Sequence, residues 1–450
     1  MRTSISIRFT FRQFTLFRFV LLTLSVFFIM GTALSNELKF VPKGLASRFF
    51  FNQINLAVEN VIAAWYSSML LLLIASAAFF CYFIERQQKA NTFSKFLNWG
   101  WIVLGLIFLT LSLDEMGSFH KLIGESALFH QIGFGTGKGW NVFYLLILLV
   151  ALFMITFFLS KIKTSKRSFV FLTMGTLLFL SNPFQEAIEL SDYHSAAQPN
   201  FWKRDTGLLL LEEGSEILGM LCFFSAMALY AFDCRNRFNQ STPGINLNIR
   251  ITQSAFLSYI FLIWLVCFIL MTAIYLNANQ IIKGDDGVAH NWFPSAGFFL
   301  VALVALYKTL NNKRKRGRKY YGLLAFLALF QSLYYGSNIY ASELVYNAVF
   351  MGISIHHLIL FLNISIGGLL FLVFNHYWCR ITLAGFLAIT LSQFITTPAL
   401  TPFFGYTCTI FLFGVLLIDI LTKSNSAFDD IASADQEYPL VLEQVISKNN

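Results

Sequence analysis

The chain has 450 residues, 57% of them hydrophobic, 17% aromatic and only 12% charged, and its mean hydropathy is +0.65. A soluble domain carries about 25% charged residues, so this composition argues against a water-soluble globular protein. The formal net charge of +9 does not point to nucleic acid, because the basic residues sit in short segments between apolar blocks, where membrane topology explains them.

Those blocks are roughly 17 to 25 residues long, the length needed to cross about 30 Å of hydrocarbon as a helix. In lipid the backbone must satisfy its own hydrogen bonds, so the blocks are helical. The two-residue alternation of a membrane barrel is absent. In chain order the pattern predicts spans at 14–33, 60–84, 98–116, 140–160, 168–186, 207–232, 254–275, 293–310, 320–337, 350–374, 381–397 and 403–421. The expectation is an all-α, polytopic transmembrane helical bundle of about twelve spans. The first block also fits a signal peptide, since Gly31-Thr32-Ala33-Leu34-Ser35 resembles a small-residue cleavage site. Cleavage would leave eleven spans. The stretch from Leu344 to Phe374 exceeds one straight span, and its start is expected to be tilted or interfacial.

Orientation follows from the basic residues. With the N-terminus inside, three in four of the 32 Lys and Arg residues fall on the cytoplasmic side, from Arg2, Arg8, Arg12 and Arg18 through Lys161, Lys163, Lys166 and Arg167 to the run Lys313–Lys319. Both termini are then cytoplasmic. Residues 1–421 read as one integral-membrane domain, with an acidic and histidine-bearing part at about 98–232, a second half at about 254–421, and a polar cytoplasmic tail from 422 to 450. The expected location is a cell membrane, plasma or inner. The run Lys313-Arg314-Lys315-Arg316-Gly317-Arg318-Lys319 reads first as a topology anchor and second as a surface for anionic lipid headgroups. The six cysteines have neither zinc nor redox spacing.

Ionisable residues within spans are costly and default to functional candidates. Outside the tail the acids concentrate at the extracytoplasmic ends of the third, fifth and sixth spans, which hold eight of the 18. The third ends in Asp114-Glu115, with His120 beyond; the fifth carries Glu186, Glu189 and Asp192; the sixth carries Glu212, Glu213 and Glu216. Spacings of three and four residues put each helix's acids on one broad face. Carboxylates that close must be partly protonated or hold a cation. The expected metal ligands are Asp114, His120, Glu186, Glu212, Glu213 and Glu216, a set suited to a divalent ion such as Zn, Mn, Fe or Ca. Glu115 or Glu189 would act as general base. The same acids also fit interfacial caps and ion pairs with Lys121, Lys203 and Arg204.

Other polar features are weaker. His356 and His357 point about 100° apart on a helix, and Asn363, Gly367 and Gly368 suit helix packing. Asp285, Asp286 and His290 lie in a glycine-bearing turn, and Gly133–Gly139 is a connector without P-loop spacing. Three functions remain open. The first is a metal-dependent membrane hydrolase or transferase acting on a lipid-linked substrate among the membrane lipids. The second is a proton- or cation-coupled secondary transporter using the same carboxylates. The third is a scaffold with an acidic patch.

Overall fold

The structure, a computed structural model, describes residues 2–37, 50–58, 61–86, 92–117, 138–163, 165–195, 205–236, 245–252, 291–311, 315–337, 349–350 and 353–354, with isolated residues between 262 and 270. The expected spans at 254–275, 381–397 and 403–421, nearly all of 350–374, the tail, and the features at Asp285–His290 and His356–Gly368 therefore lie outside the described residues, or touch them only at isolated positions.

The described chain runs β1 (Arg2–Phe9), α1 (Phe11–Glu37), α2 (Ile62–Arg86), α3 (Thr92–Gly117), α4 (Lys138–Ile162), α5 (Lys166–Ser195), α6 (Thr206–Asn236), β2 (Ile245–Thr252), α7 (Trp292–Asn311), α8 (Lys315–Gly336), β3 (Val349–Phe350) and β4 (Ile353–Ser354). Five helices among the described residues are long and apolar enough to cross a membrane: Phe11–Glu37, Ile62–Arg86, Asn98–Met116, Thr206–Cys234 and Trp292–Asn311. Shorter apolar helices cover Leu149–Ile162 and Tyr321–Gly336.

Local chemistry sets the helix starts. At α1, Thr10 and Gln13 form a reciprocal capping box: the Thr10 N–H donates to Gln13 Oε1 at 2.9 Å and the Gln13 N–H to Thr10 Oγ1 at 3.3 Å. At α6, Asp205 Oδ1 accepts from the N–H groups of Gly207 and Leu208 at 2.8 and 3.0 Å. Pro183 lies inside α5, yet the helix continues to Ser195. The helix passes the expected span end at 186, and Glu186, Glu189 and Asp192 share it.

α2 and α6 form the centre. Every residue of α2 from Ala63 to Ala75 is buried, as a helix apolar on all sides must be inside a bundle. α3 returns antiparallel along α2, with Gly105 so close to Phe79 that an added Cβ would stand 2.6 Å from its ring. α5 and α6 form a second hairpin, in which a Cβ at Gly175 would meet the Gly219 carbonyl at 3.2 Å; small residues let these backbones approach. α1 lies along the rim of the pair. It buries a narrow stripe including Phe14, Leu21 and Phe28 and exposes Leu16, Phe19 and Phe27. Phe14 packs on Phe224 and Phe232 of α6, and Phe28 stacks on Tyr66 of α2. α7 and α8 form a third hairpin against α2.

Two short antiparallel ribbons accompany the helices. β1 pairs with β2 from Arg2↔Thr252 to Phe9↔Ile245, and β3 pairs with β4 where the tenth span was expected to begin. Among the described residues, six long helices lie between β1 and β2. An even number of crossings between them would leave both strands on the same side, as the expected topology has it.

Candidate functional site

The level of each helix end is set by serines. Ser68 Oγ of α2 donates to the Ser112 carbonyl of α3 at 2.6 Å, and Ser112 Oγ donates back to the Ser68 carbonyl at 2.8 Å. The neighbouring Ser67 hydroxyl reaches the Met220 sulfur of α6 at 3.7 Å. Asp114 and Glu115 follow Ser112 towards the end of α3, while Glu216 precedes Met220 by one turn. The two helices run in opposite directions, so both displacements point to the same end of the bundle. In the α5–α6 hairpin Phe179 packs against Gly219 and Phe223, and Glu186 and Glu189 continue from there towards that end. The acid-bearing ends of α3, α5 and α6 thus converge in level.

Register narrows this further. Trp101 of α3 meets Tyr230 of α6 with ring centroids 5.3 Å apart, and Phe108 meets Phe223 at 5.9 Å. Seven residues further along each helix stand Glu115 and Glu216. A step of seven residues turns an α-helix back to nearly the same face, with about 20° of drift, and advances about 10 Å. The same periodicity extends the seam that Trp101/Tyr230 and Phe108/Phe223 define towards the level of Glu115 and Glu216. Asp114, Glu115, Glu212, Glu213 and Glu216 are all partly buried, and each takes part in a hydrogen bond, ion pair or electrostatic contact within the protein.

Beneath this layer the seam is aromatic. Phe158 of α4 stacks on Phe223 at 6.0 Å, and Trp101, Phe108 and Phe158 are each no more than 2% exposed. Gln185, one residue before Glu186, is 8% exposed. Its Nε2 donates to Ser181 Oγ at 3.0 Å, while its Oε1 is buried without a hydrogen-bond partner, the kind of atom that calls for a donor or an ion. Among the described residues, no group of three or more His, Cys, Asp and Glu side chains is arranged to hold a metal. That set includes Asp114, Glu115, Glu212, Glu213 and Glu216. His120 lies outside the described residues, and for Glu186 and Glu189 only the helical backbone is described.

Sequence reasoning missed a second polar centre at the opposite end of the same seam. Glu85, penultimate in α2, is 5% exposed. Its Oε1 accepts from Trp101 Nε1 at 3.0 Å and from the Tyr230 hydroxyl at 2.5 Å; its Oε2 accepts from Lys161 Nζ of α4 at 2.6 Å. Lys161 also donates to Asn98 Oδ1 at 2.6 Å, and Ser165 Oγ donates to Asp233 Oδ2. The ion-paired side chains are 6% and 9% exposed. Lys161 reads in sequence as one of the cytoplasmic basic residues beside Lys163, and Glu85 lies in none of the acidic groups at the span ends. The usable signal was Trp101 and Tyr230, which carry polar atoms into apolar spans and need partners there.

A third polar seam ties α7 and α8 to the first half. Trp292 Nε1 of α7 donates to Ser112 Oγ at 3.1 Å, and Trp65 Nε1 of α2 donates to Ser332 Oγ of α8 at 3.0 Å. Ser295 and Ser332 exchange hydroxyl-to-carbonyl bonds at 2.7 and 2.8 Å. Ser112, one turn below Glu115, is thereby held from two sides.

Apolar helices of this length, packed through small residues and internally satisfied polar groups, define a helical membrane protein. Residues 17–231 match a family model described as a domain of unknown function (DUF8692). The match runs from within α1 to within α6, so it contains the acid-bearing helix ends and the Glu85 centre but not α7 or α8. No curated protein and no solved structure matches the chain.

Proposed function

We propose that the chain is a multi-pass protein of a cell membrane with about twelve spans and both termini inside, and that the converging ends of α3, α5 and α6 form a one-sided acidic site. The reading is that of a metal-dependent hydrolase or transferase acting on a lipid-linked substrate. What supports it is the register of α3 on α6, read from the Trp101–Tyr230 and Phe108–Phe223 ring contacts, which extended by one heptad points to Glu115 and Glu216 at one level. Two carboxylates brought to one level near lipid would favour a shared proton or cation. The buried Gln185 oxygen at the same end adds a hard donor of the type such a cation takes. Asp114, Glu212, Glu213, Glu216, Glu186 and His120 are the ligands to test. A bound divalent ion would lower the pKa of a water and polarise a carbonyl or phosphoryl oxygen, with Glu115 or Glu189 taking the proton.

A second reading rests on the Glu85–Lys161 centre. Ionisable groups at both ends of one seam, separated by an aromatic layer, also suit a carrier in which the acid layer couples to protons or cations and the ion pair closes the other end.

One experiment separates the two. The purified full chain is analysed for stoichiometric metal beside Glu212→Ala, Glu213→Ala and Glu216→Ala. Metal present in the native chain and lost in these variants supports the enzyme. Metal absent throughout, with pH-dependent uptake into vesicles that Glu216→Gln abolishes, supports the carrier. Neither metal nor uptake removes both readings and leaves the scaffold.

A further inference from the structure

Besides these centres, the tip of the α7–α8 hairpin holds the densest charge in the chain. Six of the seven residues from Lys313 to Lys319 are Lys or Arg. α8 begins inside this run, at Lys315, so Lys315, Arg316, Arg318 and Lys319 stand on its first turns. No acidic residue occurs in the first turn of α8, nor anywhere between Asp286 and Glu343. The hairpin thus supplies no counter-charge of its own. The positive end of a helix is an unfavourable place for cations, so this arrangement costs free energy unless an anion lies near. Arg318 and Lys319 are exposed. One turn before the end of α7, the Lys308 ammonium sits 5.7 Å from the centre of the Tyr321 ring, a tyrosine at the start of the apolar part of α8. Tyr321 is itself buried, 5% exposed, so Lys308 is drawn against the protein where the apolar part of α8 begins.

We propose that this hairpin tip binds the headgroups of anionic phospholipids, with the phosphate recognised by Arg316, Arg318 and Lys319 on the first turns of α8. A membrane anchor needs only a few cations on one side. Six in seven residues, gathered at a helix start without an acid nearby, exceed that need and match a multiply contacted anionic surface. Headgroups are at hand wherever two spans end. The acidic tail, with Asp429, Asp430, Asp435, Glu437 and Glu443, is the competing occupant.

The test uses the full chain in detergent, titrated with phosphatidylglycerol or phosphatidylcholine and read by native mass spectrometry. The expected result is a preference of about tenfold or more for phosphatidylglycerol, given that each basic residue at an anionic surface contributes on the order of a fivefold gain. The preference disappears in Arg316→Gln/Arg318→Gln/Lys319→Gln and survives in Arg316→Lys/Arg318→Lys. In the unaltered chain it fades towards 1 M salt, where the screening length is about 3 Å, which keeps the test independent of any variant's folding. Equal binding of the two lipids overturns the proposal. So does a preference that appears only after deletion of residues 422–450, which would make the tail the occupant, or one that survives the triple Gln substitution at low salt.

Discussion

Loss of the Glu85 charge tests how the bundle is closed at one end. Glu85→Gln keeps an acceptor for Trp101 and Tyr230 but removes the anion from Lys161, leaving that ammonium with Asn98 as its remaining named partner. Breaking a buried ion pair from one side costs about 3 to 5 kcal/mol, because a charge is left in low dielectric. Both side chains here are less than a tenth exposed, so the full range applies. Lys161→Met leaves the opposite charge behind and should cost a similar amount, softened by the two donors Glu85 retains. The double variant Glu85→Gln/Lys161→Met removes both charges and should be no less stable than either single one, since neutral replacement of a whole buried pair is often near neutral. Unfolding of the purified chain in mixed micelles measures the three differences. Cys81 and Cys234, both buried beside this centre, report on it directly: each single variant should make them react faster with a membrane-impermeant maleimide. Additive single effects, with a coupling below about 0.5 kcal/mol, would show that Glu85 and Lys161 act separately and that the centre is no latch.

The other predictions concern packing and topology. Gly219→Val should destabilise the α5–α6 hairpin by about 1 to 3 kcal/mol, the range for overpacking, because a Cβ there would stand 2.7 Å from the Phe179 ring; Phe179→Ala in the same background should recover part of the loss in an unfolding titration. Trp292→Phe removes the donor to Ser112 together with part of the indole's volume; beyond the packing loss the missing bond should cost about 1 kcal/mol, read as the difference from Trp292→Phe made in a Ser112→Ala chain, and no difference would show the bond contributes nothing. Cysteines placed at Ser6 and Asn248, paired across the β1–β2 ribbon, should be labelled from the same side of sealed vesicles by an impermeant thiol reagent. Labelling from opposite sides would mean an odd number of crossings between them.

The fold was legible where one-dimensional patterns decide it. The apolar blocks at 60–84, 98–116 and 207–232 coincide within a few residues with α2, the apolar part of α3, and α6, because span length is fixed by bilayer thickness. α5 runs past its expected end at 186 and continues to Ser195. The basic run from Lys315 is helical and not a loop; charge alone does not unwind a turn that continues into an apolar helix. The acids of the site were visible as residues, but their partners across helices were not. Which face of α3 meets α6 depends on ring contacts between Trp101, Phe108, Tyr230 and Phe223, which no spacing within either helix reveals. Glu85 was hidden for the same reason: nothing near it in sequence indicates that Lys161, 76 residues away, will share its oxygen.

The three polar levels constrain one another. Trp101 is both a donor to Glu85 and a member of the ring layer that sets the α3–α6 register. Two heptads on, about 21 Å along the axis, the same register extends towards the level of Glu115 and Glu216. α3 is also fixed near its far end, where Ser112 is bonded to Ser68 and Trp292. A helix pinned at Trp101 and at Ser112 cannot slide by a turn without breaking one set of bonds, so its acidic end holds a fixed height against α6. Trp292 lies outside the matched stretch 17–231, yet it makes one of those pins. The acidic site, whatever its ligand, therefore takes part of its rigidity from α7, and a chain cut after α6 should keep the acids but lose the fixed level on which any shared proton or ion depends.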